Sequence, residues 1–457
     1  MSFSLLNTQG KTLRDGFAPK VSFQFLGQVM AFIANFTVGI LIARLLGPEG
    51  KGGYALISAN IWILYAIINL GLPGAVTFFI GRHRWPPVHT AFLASIFPLS
   101  GWVIVLLILA SPGSEWLLRK TSFTPEVWQL TWLMVMTVLP LQLISPILSG
   151  VLRGRELIYE TTGPRIIMSI LRILFISVSL LALKKALSSV IYAEIVLHWV
   201  GIFWLLLIFH KALRKWPPAL EKPQLGRLMA YSLQLYVGGI LGFLWARLDL
   251  YFVNYFCQQT AVGLYSVAMV GAELASFPSD AISSVLFSRL SLSTPEERTN
   301  YFQKVFRSTL IINFFTVIGL LGGSFLIPFV YGRNFAPAIP AMMICLGGSL
   351  FRGGVHVLYT FFATENRQFI NILATFAGLL TMIALDLVMI PFWGIHGAAT
   401  AYGISIIVVF LCLLFTGFRW GLLTQQHSLL PRTQDIKELH MTLRAVIKVM
   451  TSKHNSR

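Results

Sequence analysis

Residues 21–43 read VSFQFLGQVMAFIANFTVGILIA, twenty-three consecutive positions without an Asp, Glu, Lys, Arg or His. A bilayer core of about 30 Å is crossed by roughly 20 apolar residues in a helix, so this stretch is long enough to span a membrane. Eleven runs of the same character follow: Tyr54–Ile80, Ala91–Ala110, Val127–Leu152, Ile166–Leu183, Ala186–Phe209, Leu228–Phe256, Val262–Phe287, Ser308–Tyr331, Ala338–Phe362, Phe369–Ile390 and Ile395–Phe418. They are numbered here as spans one to twelve. Tyr54–Ile80 and Leu228–Phe256 are long for one crossing, which predicts tilt or kinks in both. No small-residue cleavage site follows the first run, so it reads as a span rather than a removable signal.

The 457 residues are 56% hydrophobic and only 11% charged, with mean hydropathy +0.74. A soluble protein of this size needs far more polar surface. The formal net charge of +18 suggests a nucleic-acid partner at first sight, but its distribution says otherwise. With a cytoplasmic N-terminus, the tail, the even-to-odd loops and the C-terminal segment hold 25 of the 35 Lys and Arg. The opposite loops hold Arg44, Lys51, Arg119, Lys120, Lys184, Lys185 and Arg333. This is the positive-inside pattern: both termini read as cytoplasmic, in a multi-pass membrane protein. No nucleic-acid partner is implied. Cys257, Cys345 and Cys412 lie apart with no pairing or metal spacing, and no cofactor or metal is expected.

The most basic loop, His210 to Arg227, divides the spans six and six. The expected organisation is an all-α membrane fold: an N-terminal six-helix lobe at 1–212, a C-terminal six-helix lobe at 213–420 and a cytoplasmic tail at 421–457. An even number of spans per lobe makes any internal symmetry a parallel pseudo-two-fold about the membrane normal. Gly47 to Tyr54 after span one and Gln258 to Tyr265 after span seven support it faintly, each closing on Gly-x-Tyr. Thr124-Pro125-Glu126 and Thr294-Pro295-Glu296-Glu297 carry helix-start chemistry. In the tail, Ile436, Leu439, Leu443, Val446, Ile447 and Met450 oppose Lys437, His440, Arg444 and Lys448. That stripe reads as an in-plane amphipathic helix drawn to anionic membrane lipid, or as a partly ordered tail.

Eight ionisable residues fall inside spans: Arg172, Glu194, Arg247, Asp249, Glu273, Asp280, Arg352 and Asp386. A central charge costs about 2.5–3.5 kcal/mol on insertion scales, so turning all of them to lipid would cost on the order of 20 kcal/mol. They are expected to face one another or water. Asp386, read as a turn from the outer end, is discounted. Helical spacing aligns Arg247, Tyr251 and Asn254 on span seven with Asp249 pointing elsewhere. It aligns Glu273, Phe277, Asp280 and Ser284 on span eight, and Arg352, His356 and Tyr359 on span ten. Glu194 and His198 share a face of span six, and the Lys184-Lys185 turn brings His198 level with Arg172. Gln24, Gln28 and Asn35 form an uncharged stripe on span one.

A central cavity between the lobes, lined by cations, amides and rings, is the physical outcome of this pattern. Its cations suit phosphate, and its rings and amides suit sugars. The alternatives stay open. Arg247 and Arg352 either line a substrate path or neutralise Asp249 or Glu273. Glu194 and His198 form a proton or ion relay or a structural pair with Arg172. The amide stripe on span one is either cavity lining or interhelical glue. Pro73, Pro140, Pro146, Pro278 and Pro328 mark moving bends or static kinks.

Several short motifs, in order and spacing, resemble the polysaccharide-biosynthesis flippases of the multidrug/oligosaccharidyl-lipid/polysaccharide exporter superfamily. They are Ala43-Arg44-Leu45-Leu46-Gly47-Pro48-Glu49-Gly50 with Gly53-Tyr54, then Arg247-Leu248-Asp249 with Val262-Gly263-Leu264-Tyr265-Ser266. Ile327-Pro328-Phe329-Val330-Tyr331-Gly332 and Gly394-Ile395-His396-Gly397-Ala398-Ala399 complete the set. The resemblance implies two six-helix lobes that carry an oligosaccharide on polyprenyl diphosphate to the outer leaflet by alternating access. On that view Arg44 sits near the outer rim, and Arg247 and Arg352 attract the diphosphate. Gln28, Asn35, Tyr251, Asn254 and His356 join them as substrate-binding candidates. Glu194, His198, Asp249, Glu273 and Asp280 are candidates for proton or sodium coupling. Asp386 departs from the uncharged amide expected there.

No Gly-x-x-x-x-Gly-Lys-Ser/Thr loop occurs, so the energy source is expected to be an ion or voltage gradient. A drug/cation antiporter of the same superfamily is the first alternative, but span one lacks a carboxylate and Glu194 is the only one in spans one to six. A membrane polysaccharide polymerase or glycosyltransferase is the second, without the external loop or acid cluster such an enzyme needs.

Overall fold

The computed structural model describes residues 4–83, 85–111, 122–182, 186–214, 221–292 and 294–420. The amphipathic tail helix, the Lys184-Lys185 turn and the pair Arg119 and Lys120 lie outside the described residues. All regular structure among the described residues is helical. Nine stretches are long and apolar enough to cross a bilayer when the bent pair Pro125–Thr137 and Leu139–Gly154 is taken as one.

Three stretches are far too long for one crossing. Ser22–Ile68 has 47 residues and Gln368–Arg419 has 52; at 1.5 Å per residue these would reach about 70–80 Å if straight. Each is broken by a left-handed residue: Gly47 (φ 68°), Gln258 (φ 68°) and Gly394 (φ 55°). Contacts across the breaks show the chain folding back. Tyr265 Oη donates to Asp249 Oδ2 at 2.7 Å, whereas a straight helix would hold residues sixteen apart at about 24 Å. Gly397 packs on the Met389 carbonyl across Gly394, and Lys51 Nζ would lie 3.3 Å from a β-carbon on Gly39. Counting each broken stretch as two gives twelve spans, as read from the sequence.

The two spans read as overlong are both interrupted. Span two stops at Ile68, turns through Leu70 (φ 52°) and Gly71 (φ 71°), and resumes as Leu72–His83. A β-carbon on Gly71 would collide with the Ser232 carbonyl oxygen at 2.5 Å, so only glycine fits there. Span seven is split into Leu225–Arg247 and a helix that begins at Asp249. Span four bends by 41° at Val138, just before Pro140. Span ten, read as one run, consists of Ala338–Ser349 and Arg352–Thr364.

Contacts group the chain into two compact units, Met1–Phe243 and Leu244–Arg457. The division falls inside the helix Leu225–Arg247, whose first turns belong with the first unit: Tyr231 stacks on Phe78 at 4.5 Å and Tyr236 Oη donates to the Ile67 carbonyl at 2.9 Å. The core of the first unit is built by Leu72, Val76, Ile80, Trp85, Ile147 and Val151. In the second, Phe302, Phe306, Phe361 and Phe362 are fully or almost fully buried. The helix-start motifs act as read: Val127 N lies 3.5 Å from Thr124 Oγ1, and Thr294 N donates to Glu297 Oε2 at 3.4 Å.

Candidate functional site

In the first unit the polar residues of the spans converge on one buried ion pair. Arg172 of span five meets Glu194 of span six, with Nη2 at 2.6 Å and Nε at 2.8 Å from Oε1. Tyr54 Oη donates to the same carboxylate oxygen at 3.0 Å and accepts from Arg172 Nη2 at 2.7 Å. Arg172 Nη1 donates to Asn35 Oδ1. The Glu194 side chain is only 5% exposed, so the pair must repay a desolvation cost of several kcal/mol per ion, and extra hydrogen bonds are how buried pairs manage it. Of the two arrangements open from sequence, the geometry is that of the pair with Arg172.

It is Glu194, one turn before His198, that stands level with Arg172. His198 instead has Nδ1 2.7 Å from the Glu194 carbonyl oxygen and Nε2 3.1 Å from Gln142 Nε2. A ring protonated on Nδ1 satisfies both contacts. On span one, Asn35 is thus committed to Arg172, while Gln28 is exposed. Arg44 is exposed three residues before the break at Gly47.

In the second unit the broken helices arrange the charges. Arg247 ends one helix and Asp249 starts the next, which places each charge at the helix end whose dipole favours it. The break corrects the face read from sequence, because Arg247 does not share a continuous helix with Tyr251 and Asn254. Asp249 is 1% exposed; it accepts from Tyr265 Oη and, at 2.8 Å, from Leu250 N. Asn254 is buried and Tyr251 half-buried. Arg247 Nη2 lies 3.2 Å from Glu273 Oε1, and this pair is open, with side chains 40% and 43% exposed. One helix face further along span eight, Asp280 Oδ1 is 2.9 Å from His356 Nδ1.

Arg352 is the first residue after the break in span ten. Its Nη1 donates to the Tyr402 hydroxyl, and its guanidinium stands 6.0 Å from that ring's centre. The break survives in a buried place because Asn313 of span nine donates from Nδ2 to the freed carbonyls of Ser349 (2.8 Å) and Leu350 (2.9 Å). Tyr359, on the Arg352 helix, bonds Thr375 at 2.7 Å.

Three features escaped the sequence reading. Tyr54 and Tyr265 were visible only as parts of Gly-x-Tyr, yet both hydroxyls serve a buried carboxylate, and each stands seven residues after its break, at Gly47 and Gln258. Asn313 and Gln142 carry no local signal. Asp386, discounted as near an end, lies two turns before Gly394 and is fully buried, with neither oxygen hydrogen-bonded among the described residues. Among the described residues no three His, Cys, Asp or Glu side chains cluster to hold a metal.

Comparison with known proteins agrees with this architecture. The inward-facing conformation of a multidrug resistance MATE family transporter of the MOP superfamily matches with TM-score 0.68, covering 85% of this chain and 94% of that one at 14% identity. Lipid II flippase MurJ in an inward closed conformation matches with TM-score 0.63, covering 86% and 87% at 17% identity. At such identities the likeness speaks for the fold, an all-helical membrane fold of two lobes. In sequence, the "Probable low-salt glycan biosynthesis flippase Agl15" of Haloferax volcanii is 23% identical over 400 residues, 83% of this chain and 80% of that protein. The family model described as polysaccharide biosynthesis protein matches residues 41–340, from the first hinge through the start of span ten. The chain belongs to that polysaccharide biosynthesis protein family.

Proposed function

We propose that the protein is a flippase that moves an oligosaccharide linked to polyprenyl diphosphate from the cytoplasmic to the outer leaflet by alternating access. The observation that carries this reading is Arg247: an accessible guanidinium within a membrane span of a polysaccharide biosynthesis family member. A guanidinium binds phosphate oxygens in a forked, charge-assisted geometry. Arg352 lies nearby in charge terms, within electrostatic reach of Glu273 and Asp280. Arg44, Gln28, Tyr251, Asn254 and His356 remain substrate candidates in this proposal. The relative named a glycan biosynthesis flippase and the fold neighbour titled lipid II flippase favour the same cargo class.

The protein acts as a carrier and not as an enzyme in this reading, driven by a proton, sodium or voltage gradient. It resides in a bacterial inner membrane with both termini cytoplasmic. A drug/cation antiporter is disfavoured because Glu194, the buried carboxylate of span six, is already held by Arg172 and Tyr54. The test is rescue of an export-deficient strain. A knockout should accumulate lipid-linked oligosaccharide on the cytoplasmic face. Accumulation of single repeat units at the outer face would instead mark a polymerase.

A further inference from the structure

Two arginines flank the turn between spans four and five with no acid between them. Arg153 lies in the last turn of Leu139–Gly154, and Arg165 lies two turns into Ile158–Ala182. The hairpin that joins them is tight. Glu156 N donates to the Arg153 carbonyl at 2.9 Å and Leu157 N to the Leu152 carbonyl at 3.1 Å, with Glu156 left-handed (φ 57°). Both arms are seated against neighbours: a β-carbon on Gly154 would stand 2.8 Å from the Thr77 carbonyl oxygen, and Thr162 packs on Gly27 of span one.

Arg153 runs against the usual direction. At the end of a span an arginine ordinarily extends past the helix to reach the headgroups. Arg153 turns back instead, and its Nε donates to the Ser149 carbonyl at 3.3 Å, one turn into the span. At 1.5 Å per residue that carbonyl is about 7–8 Å from the helix end, and Arg165 is about 10 Å from the start of the next helix. A helical side chain leans towards its own N-terminus, so Arg165 leans back towards the turn and the two guanidiniums come level. They stand within electrostatic reach of each other, and Arg153 within reach of Tyr65 on span two. The Tyr65 ring is held edge-on by Trp62 at 5.8 Å and by Phe243 at 6.5 Å.

Among the described residues neither guanidinium is ion-paired and the Tyr65 hydroxyl makes no hydrogen bond. Glu156 and Glu160, the acids of the same hairpin, pair with neither arginine. Two like charges side by side repel, and an anion bound between them removes the repulsion. Two guanidinium forks match an anion with two phosphates, one fork to each, and the hydroxyl adds a further donor.

We propose that Arg153, Arg165 and Tyr65 form a second diphosphate site, in the first unit, which receives the diphosphate of the cargo as it enters. The ligand rests on the flippase reading, to which this adds a site apart from Arg247. The orientation inferred from the loop charges puts the hairpin of spans four and five on the cytoplasmic side, where the cargo is collected.

The experiment titrates purified full-length protein in phosphatidylcholine nanodiscs with farnesyl diphosphate and with farnesyl monophosphate, followed by calorimetry. Arg247→Gln is present in every sample and keeps the second unit's arginine out of the reading. In that background Arg153→Gln and Arg165→Gln should each bind the diphosphate about tenfold more weakly, one lost charge-assisted pair. Tyr65→Phe should weaken it about fivefold, one lost hydrogen bond. The preference for two phosphates over one should be about tenfold with both arginines present and vanish when either is replaced. Arg165→Lys keeps the charge without the fork and should fall between, and it carries the test if a Gln variant does not fold.

Equal diphosphate affinity with and without the two arginines overturns the site. Repeating the titration in nanodiscs that contain phosphatidylglycerol separates cargo from lipid headgroup. A cargo site keeps the order of the variants, whereas a headgroup site loses the difference between them and the assignment falls. Export at the wild-type level from a variant that has lost the preference also overturns it, and leaves the flippase reading standing. An intact two-arginine preference in a protein that rescues no export strain removes the flippase reading and leaves a diphosphate site.

Discussion

Arg247 and Asp249 stand on either side of a single non-helical residue, Leu248, so a cation closes one half of span seven and an anion opens the other. Each charge complements the helix end it occupies. Asp249 is also the acceptor that ties the span seven–eight hairpin shut, through Tyr265 Oη at 2.7 Å. Replacing Tyr265 by Phe leaves a buried carboxylate one donor short. The expected cost is about 1.5–3 kcal/mol, the range for hydrogen bonds to charged groups. Thermal unfolding in detergent reads it, and Asp249→Asn with Tyr265→Phe should cost less than the two single changes added together. A Tyr265→Phe protein that melts with wild type would show the bond to be idle.

The Arg172–Glu194 pair makes a sharper stability prediction. Arg172→Ala strands a carboxylate that is 5% exposed, and breaking a buried pair on one side costs about 3–5 kcal/mol. Folded protein should be scarce, with little left in a size-exclusion profile. The double change Arg172→Leu with Glu194→Leu removes both charges, and replacing a buried pair with apolar groups is often neutral. It should therefore recover folded protein that Arg172→Ala lacks. Equal yield from wild type and Arg172→Ala would show that the pair is not needed for folding.

The contrast between these residues explains what was legible in the sequence. Span number follows from hydropathy, because lipid tolerates little else, and the overlong runs betrayed the breaks at Leu70-Gly71 and Leu248. The Arg172–Glu194 pair was one of two arrangements open in the sequence, and the register read there set His198 level with Arg172, one turn away from Glu194, which the structure pairs with it. The break in span ten was not legible, because what sustains it is Asn313, a side chain from another span. Nor was the partner of Arg352, since Tyr402 lies fifty residues away across two turns of chain direction. Local pattern reports what a segment needs from lipid. It is silent on which distant side chain supplies it.

Asn313 is accordingly the test of the span ten break. Its amide donates to the carbonyls of Ser349 and Leu350, immediately before Arg352. Asn313→Leu keeps the branching of the side chain and removes both bonds, leaving buried carbonyls unsatisfied at about 1–3 kcal/mol. A lowered melting temperature is expected, together with weaker export in the rescue assay because Arg352 loses its fixed mount. Asn313→Gln, with the same amide on a longer arm, should fall between the two. Wild-type melting and export from Asn313→Leu would mean the break holds itself.

Asp386 poses the opposite question, because no described residue bonds its oxygens. It is 0% exposed and neither oxygen has a hydrogen-bond partner among the described residues. A buried polar group left unsatisfied costs about 1–3 kcal/mol, so a protein selected only for stability would carry an apolar residue there. Asp386→Leu, with the same branching and methyl groups in place of the two unbonded oxygens, should raise the melting temperature. The informative measurement is export by the same variant. A more stable protein that exports like wild type marks Asp386 as a tolerated burden. A more stable protein that no longer exports means the acid is kept for its proton or its charge at some stage of the cycle, since stability alone argues for its loss.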